Sequence, residues 1–285
     1  MSYKQYKPEE LKKLQRLSSS ILEELDRVCR ILNIPYFIYA GTAIGAVRHG
    51  GFIPWDDDID VGMLRKDYER FLKEAPSVLG SAFMIEDYHS DPYFPACDSN
   101  LALKDTYCVP EEFENCPFQY AISIGLYAFD SVTNDQKLLK KQLRKTWWYG
   151  RLVFLRATPK PHMTLKGLKK HLALAACFIA HWGMKIIHIS PKWLHDQWEH
   201  WAQAGNSCDT GVYCDFTDRN PLSWSVSKEE LFPLEEIEFE NISVKIPHGY
   251  DTILKRGYGD YMQLPPEEDR KNHYPSRLDF GPYSD

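Results

Sequence analysis

The chain has no C-x-x-C pair, no zinc-finger spacing of cysteine and histidine, and no H-E-x-x-H among its ten histidines. Zinc chemistry is therefore not supported. Seven cysteines, at 29, 97, 108, 116, 177, 208 and 214, are an odd number without framework spacing. That predicts reduced, mostly buried thiols in a cytoplasmic protein. The opening MSYKQYKPEELKKLQRL lacks the apolar stretch of a signal peptide. Positive charge is in deficit, with 34 Lys and Arg against 40 Asp and Glu, so nucleic acid is not an expected partner. Internal repeats and low-complexity linkers are absent. Long unbroken apolar runs are also missing, with one near-exception, LALAACFIAHWGMKIIHI (172–189). It follows Lys166, Lys169 and Lys170, and His181, Lys185 and His188 interrupt it, which argues against a membrane span. Two readings stay open: a buried helix of a helical subdomain, or a helix on the inner face of the cytoplasmic membrane, with peripheral contact through 165–205.

What is present is enough for one sizeable core: 285 residues, 44% of them hydrophobic. Leu11, Leu14, Leu17, Ile21, Leu25, Val28 and Leu32 recur at helical spacing after Pro8, predicting a helix over 8–33 that ends before Pro35. Short strands are expected at 36–40, 58–63, 81–86, 100–105, 119–130, 211–216 and 242–247. Helices are expected at 65–80 and from Tyr250 to Gly257 or Gly259. Residues 135–210 turn helical and read as an insertion. The fold class is α+β, a mixed sheet flanked by helices with a helical insertion in a single domain spanning 1–285.

The stretch PWDDDIDVG (54–62) crowds Asp56, Asp57, Asp58 and Asp60 among Trp55, Ile59 and Val61. Strand alternation sets Asp56, Asp58 and Asp60 on one face while Ile59 and Val61 enter the core. Ionised carboxylates this close repel one another, and a hard divalent cation removes that cost. Mg²⁺ suits one or two carboxylates plus substrate phosphates. A solvated acidic turn is the plain alternative. A calcium loop fails where Val61 stands in place of glycine and Asp67 in place of glutamate.

The preceding GTAIGAVRHGG (41–51) has its own logic. Gly41 allows close backbone approach, Thr42 offers a hydroxyl, a helix starting there aims N–H groups at an anion, and Arg48 can fork onto phosphate. A G-T turn some fifteen residues before an acidic strand pairs phosphate binding with metal binding.

YAGTAIGAVRHGGFIPWDDDIDVGM (39–63) strongly resembles the signature of LicD-type phosphotransferases, a family that includes bacterial phosphocholine transferases and the fukutin-related proteins. RGYGDYMQLPPEEDRKNHYP (256–275) resembles that family's closing motif. The resemblance implies a nucleotidyltransferase-like fold. It also implies Mg²⁺-dependent transfer of a phospho-alcohol from a CDP-activated donor, such as CDP-choline, to a glycan hydroxyl, with CMP released. Acceptors would be glycan or lipid-linked glycan precursors of teichoic acid or lipopolysaccharide. One departure stands out. Where the family often carries I-D-I-F-P-L-D, this chain has Ile124-Gly125-Leu126-Tyr127-Ala128-Phe129-Asp130, so Gly125 replaces the first acid and Asp130 matches the last.

The expected roles follow. Asp58 and Asp60 hold Mg²⁺, with Asp56 or Asp57 adding a ligand or tuning the site. Gly41, Thr42 and Arg48 grip phosphate, and Asp130 is a candidate base. Trp55, Phe118, Tyr120, Tyr127, Trp147, Trp148 and Tyr149 are the aromatic supply for a choline headgroup. Arg270 and His273 are polar enough to reach an anionic substrate. Competing readings are a nucleotide-sugar glycosyltransferase and a non-catalytic glycan- or calcium-binding module.

Overall fold

A computed structural model of the chain describes residues 4–284 except positions 162, 164 and 209. Helix α1 (Pro8–Leu32) begins with Pro8 in its first turn beside Glu9 and Glu10, where acidic charge meets the positive end of the helix dipole. It ends at Asn33 in the left-handed region, whose N–H bonds the Arg30 and Cys29 carbonyls. Leu14, Ile21, Leu22, Leu25 and Val28 are buried along one face. Each contributes roughly 1.5–3 kcal/mol of burial.

The strands assemble around a seven-stranded mixed sheet. β1 (Phe37–Ile38) pairs antiparallel with β2 (Asp60–Leu64), and β2 pairs parallel with β6 (Ser123–Ser131). The first half of β6 is flanked by β4 (Ser99–Leu103), which carries β3 (Phe83–Glu86) at the sheet edge. Its second half pairs with β7 (Val212–Asp215), followed by β8 (Val226–Ser227). A separate hairpin joins β9 (Leu234–Phe239) to β10 (Ile242–Pro247). A short ladder pairs β11 (Arg277–Asp279) with β5 (Tyr107–Val109). Apart from α1, the helices are α2 (Ala40–His49), α3 (Arg65–Glu74), α4 (Gln136–Ala157), α5 (Gly167–Ile186), α6 (Pro191–Ala202), the single turn α7 (Lys228–Leu231) and α8 (Tyr250–Tyr258).

This bears out the α+β class with a mixed sheet flanked by helices. Helices α4 to α6 lie between β6 and β7, which are antiparallel neighbours. The connection between these two neighbouring strands is thus expanded into three helices. One anchor fastens it. Arg65 on α3 makes a two-pronged contact with Asp130 on β6 (2.9 and 2.7 Å) and reaches Glu199 on α6 (2.8 Å). Asn206 adds a third donor to Asp130 at 2.7 Å.

Several boundaries differ from expectation. The strand expected at 58–63 starts only at Asp60, because Pro54 and a turn closed by the Asp56 N–H on the Ile53 carbonyl hold the preceding residues out of the ladder. The helix expected over 65–80 ends at Glu74, ahead of a short 3₁₀ turn that carries Pro76. The helix expected to start at Gly41 is α2, which begins at Ala40 and is closed by Gly50 in the left-handed conformation. The strand expected at 36–40 is only Phe37–Ile38.

Sheet alternation decides what faces the site. Val61 and Met63 of β2, with Leu126 and Ala128 of β6, enter the core shared with α1. Asp60 is paired with Gly125 in register, so these two and Tyr127 lie on the opposite face. Phe37 and Phe129 pack there edge to face, with centroids 5.0 Å apart.

Candidate active site

The acidic stretch and the start of α2 meet as the residue types require. Tyr39 leads into α2, and Ala40 is held at φ +50°, a conformation that costs a non-glycine residue free energy. The first N–H groups of the helix have no intrahelical acceptor. Gly41 sits so close to Asp56 that an added Cβ would lie 3.0 Å from Asp56 Oδ2. Any side chain at 41 would press on that carboxylate, so the glycine is there for proximity. Asp60 donates its backbone N–H to Thr42 Oγ1 at 2.8 Å, which clamps α2 onto β2. Thr42 is buried; its hydroxyl oxygen accepts in this clamp, and its hydroxyl hydrogen stays a donor.

The four aspartates divide by their partners. Asp57 is engaged on both oxygens: Tyr6 Oη donates at 2.8 Å, and the His273 N–H at 3.0 and 3.1 Å. His273 Nδ1 lies 3.1 Å from Asp57 and 3.5 Å from Asp58 Oδ2. The hydrogen bond to Asp57, with the charge of the neighbouring aspartates, raises His273 to about 9, so it is cationic at neutral pH. Asp57 and His273 thereby latch the C-terminal segment onto the acidic loop.

Asp56 and Asp58 are the carboxylates left to act outward. Ligand atoms of Asp56, Asp57, Asp58 and His273 all lie within 4.8 Å of one another. Burial, then the charges of Asp58 and Asp57, push Asp56 up to about 8. Asp60 is driven well above the usual carboxylate range by burial, then by Asp58 and Asp56. This concentration of carboxylate oxygen, only partly offset by the His273 cation, fits a hard divalent cation of the Mg²⁺ type. Asp60 lies outside the tight group and is coupled to it electrostatically.

The face beneath Asp60 explains Gly125. A Cβ at 125 would lie 2.6 Å from Tyr127 Cε2 and 2.8 Å from its hydroxyl oxygen. The Tyr127 ring fills the space of the missing side chain, and its hydroxyl favours the charged form of Asp60, partly offsetting the upward push. Tyr39 packs edge to face on it at 5.5 Å. A phenol donor therefore stands where an acid at 125 would have stood. The acid next along the sheet, Asp215, is buried and satisfied by the Thr217 N–H and hydroxyl. Burial pushes it up to about 7.

Two expected site residues are placed elsewhere. Asp130 is fully buried in its contacts with Arg65 and Asn206, out of reach of a substrate hydroxyl. It is a structural anchor and not a base. Arg48 lies in the last turn of α2, at the opposite end from Gly41, and donates to the Tyr261 carbonyl. It secures the C-terminal segment and does not grip phosphate at Gly41. Trp55 and Arg270 are brought together: the guanidinium stacks 5.0 Å from the Trp55 ring while its Nε donates to the Pro265 carbonyl at 3.1 Å.

The aromatic supply is also redistributed. Phe118 and Tyr120 sit in a separate cluster with Phe94, and Trp147 and Trp148 are exposed on α4. A further aromatic group coupled to the acids, beside Tyr39 and Tyr127, is Tyr258, at the end of α8. It is pushed up by burial, then by Asp60, Asp56 and Asp58, and it packs on Trp224 at 4.8 Å. An added Cβ at Gly257 would lie 2.2 Å from Trp224, so that glycine permits the contact. Sequence reasoning missed Tyr258 and Trp224 as a pair; Gly257 and Gly259 flanking Tyr258 were the local signal.

Residues 33–99 match the family model described as LicD/FKTN/FKRP, nucleotidyltransferase domain. That window holds α2, the acidic loop and β2. The chain is 25% identical over 276 residues to the lipopolysaccharide cholinephosphotransferase LicD of Haemophilus influenzae, covering 93% of this chain and 96% of that protein. An uncharacterised protein of Rickettsia typhi is 43% identical over 54 residues, covering 19% of this chain and 18% of its own length. A second, from Rickettsia prowazekii, is 57% identical over 35 residues, covering 12% and 13%.

Proposed function

Because the chain belongs to the LicD family, we propose that it is a phosphotransferase that moves phosphocholine, or a related phospho-alcohol, from a CDP-activated donor to a hydroxyl of a cell-surface glycan precursor. A lipopolysaccharide or teichoic acid sugar is the acceptor class. The observation that carries this reading is the contact between the two halves of the site: the Asp56 carboxylate lies against Gly41 at the start of α2, so carboxylates for a metal and N–H groups for a phosphate face one small volume.

Asp56, Asp58 and Asp60 would hold Mg²⁺, which supplies charge neutralisation for the donor diphosphate and for the departing CMP. The residues of the chain do the rest. The N–H groups at the start of α2 orient phosphate oxygens. Tyr127 partly offsets the burial and repulsion that push Asp60 up, and so favours its charged, metal-holding form. The Asp57–His273 latch holds the loop in place. The acceptor oxygen forms a bond to the phosphorus that carries choline, the bond from that phosphorus to CMP breaks, and the hydroxyl proton leaves to solvent. A loose transition state asks little of a base, which accords with Asp130 being structural. Trp224 and Tyr258 offer π-faces to a quaternary ammonium, with acidic charge nearby.

The test is CMP release from CDP-choline, CDP-ribitol and CDP-glycerol, with lipopolysaccharide present and Mg²⁺ supplied or chelated. Mg²⁺-dependent release with CDP-choline, reduced in Tyr258→Ala, supports the reading. Turnover of sugar nucleotides alone, or tight Ca²⁺ binding without nucleotide turnover, would replace it.

A further inference from the structure

Helix α5 is apolar, yet it buries only His181 and Met184. His181 Nδ1 is bonded to the Leu155 carbonyl at 2.8 Å, so α5 is held by its C-terminal half. Leu168, Leu172, Ala175, Ile179, Trp182 and Ile186 follow at intervals of four, three, four, three and four, and every one is exposed. That interval draws one continuous stripe along a helix. Ile179 is 70% exposed and Leu168 74%. Most of the exposed large apolar side chains in the molecule lie between Trp147 and Trp193. The neighbouring α6 is different, with Leu194, Trp198 and Ala202 buried, so the uncovered face belongs to α5. Trp147 and Arg151 of α4 and Cys177 of α5 line one cavity of about 770 Å³; Cys177 stands opposite the stripe on the helix, beside the buried His181 and Met184, so the stripe faces away from α4.

Charge identifies what covers the face. Residues 135–210 carry 13 lysines and arginines against four acids, so the chain's net −6 divides into about +9 here and −15 elsewhere. No acidic residue occurs between Asp135 and Asp196. A second copy docked stripe to stripe would set Lys166, Lys169, Lys170 and Lys185 against like charges, with no acid in the segment to pair them. An anionic surface meets both the cations and the apolar stripe. Trp147, Trp148, Trp182 and Trp193, all exposed, are the residue type that sits at headgroup level. Among the described residues no single helix is long and apolar enough to cross a membrane.

We infer that α5 lies in the surface of an anionic lipid bilayer, its Leu168–Ile186 stripe in the acyl boundary and the lysines at and along α5 at the headgroups. The inference uses none of the residues assigned to the acidic site and stands apart from the reaction proposed there. The full-length protein is floated with vesicles of phosphatidylcholine alone and of phosphatidylcholine with phosphatidylglycerol. Co-flotation with the anionic vesicles only, reversed by salt, is expected. Leu172→Glu with Ile179→Glu, both at exposed positions, should lower binding by at least about tenfold with unchanged circular dichroism. Lys169→Glu with Lys170→Glu should lower it by roughly fivefold or more for each cation. Failure of the wild-type protein to float with anionic vesicles overturns the inference. So does undiminished flotation of the Leu172/Ile179 variant, or a dimer that this variant dissolves while neither form binds lipid. CMP release measured without vesicles reads the active-site proposal separately.

Discussion

Replacing Tyr127 by phenylalanine isolates one interaction at the centre of the site. The ring is retained, so its contact with Tyr39 at 5.5 Å survives. What is lost is the hydroxyl that favours the charged form of Asp60. A hydrogen bond to a charged group contributes about 1.5–3 kcal/mol. At about 1.4 kcal/mol per factor of ten, that is roughly a ten- to hundredfold effect. Asp60 would then keep its burial and the repulsion of Asp56 and Asp58 without the donor that offsets them, so its ionised form and its hold on Mg²⁺ both weaken. Mg²⁺ titrations of CMP release should show the apparent metal requirement rising by about that factor, while stability moves by less than about 1.5 kcal/mol, as for a change that leaves core volume nearly intact. Gly125→Ala is the companion, since its methyl would lie 2.6 Å from the ring and force Tyr127 aside. An unchanged Mg²⁺ requirement in Tyr127→Phe would refute the role given to the phenol.

Asp130→Asn should cost about 3–5 kcal/mol, because Arg65 is left buried without its closest partner; chemical denaturation measures this, and turnover per folded molecule should stay near wild type, whereas an inactive but fully stable variant would restore Asp130 as a base. Gly41→Ala should retain or slightly gain stability, since alanine is favoured in helices by about 1 kcal/mol, yet lose at least about tenfold in turnover, the cost of misplacing a group in a preorganised site; unaltered kinetics would show that the approach to Asp56 is incidental. Glu86, buried and bonded to the Ala121 N–H and Asn100, is pushed up from 4.5 to about 7 by burial. The folded state holds that proton more tightly, so its stabilisation is full below about 4.5 and is lost as pH rises through about 7, by up to about 3 kcal/mol. Glu86→Gln should flatten urea midpoints across that window, and parallel curves for the two proteins would count against it.

Local patterns carried much of this molecule. The apolar spacing of α1, the strand at Ile242–Pro247 and the helical segment between β6 and β7 were legible because period and punctuation are local. The acidic run was legible as chemistry but not as geometry. Alternation set Asp56, Asp58 and Asp60 on one strand, yet only Asp60 enters the ladder, and Asp56 and Asp58 are brought near by the turn after Pro54. Asp57 seemed interchangeable with its neighbours; its partners Tyr6 and His273 lie 51 and 216 residues away, a separation that no local spacing reveals. Asp130 matched a position by resemblance, and Arg65 and Asn206, which bury it, come from other elements. Tyr127 was within reach, because residues two apart on a strand share a face and an aromatic beside a glycine tends to fill its space.

The central claim is that the acidic cluster holds a hard divalent ion against the donor diphosphate. Calorimetric titration of CDP-choline into the wild-type protein and into Asp58→Asn with Asp60→Asn, each with and without Mg²⁺, tests it most directly. Donor binding that needs Mg²⁺ in the wild-type protein and vanishes in the folded double variant is the predicted result. Equal donor binding by both proteins, indifferent to Mg²⁺, would contradict it.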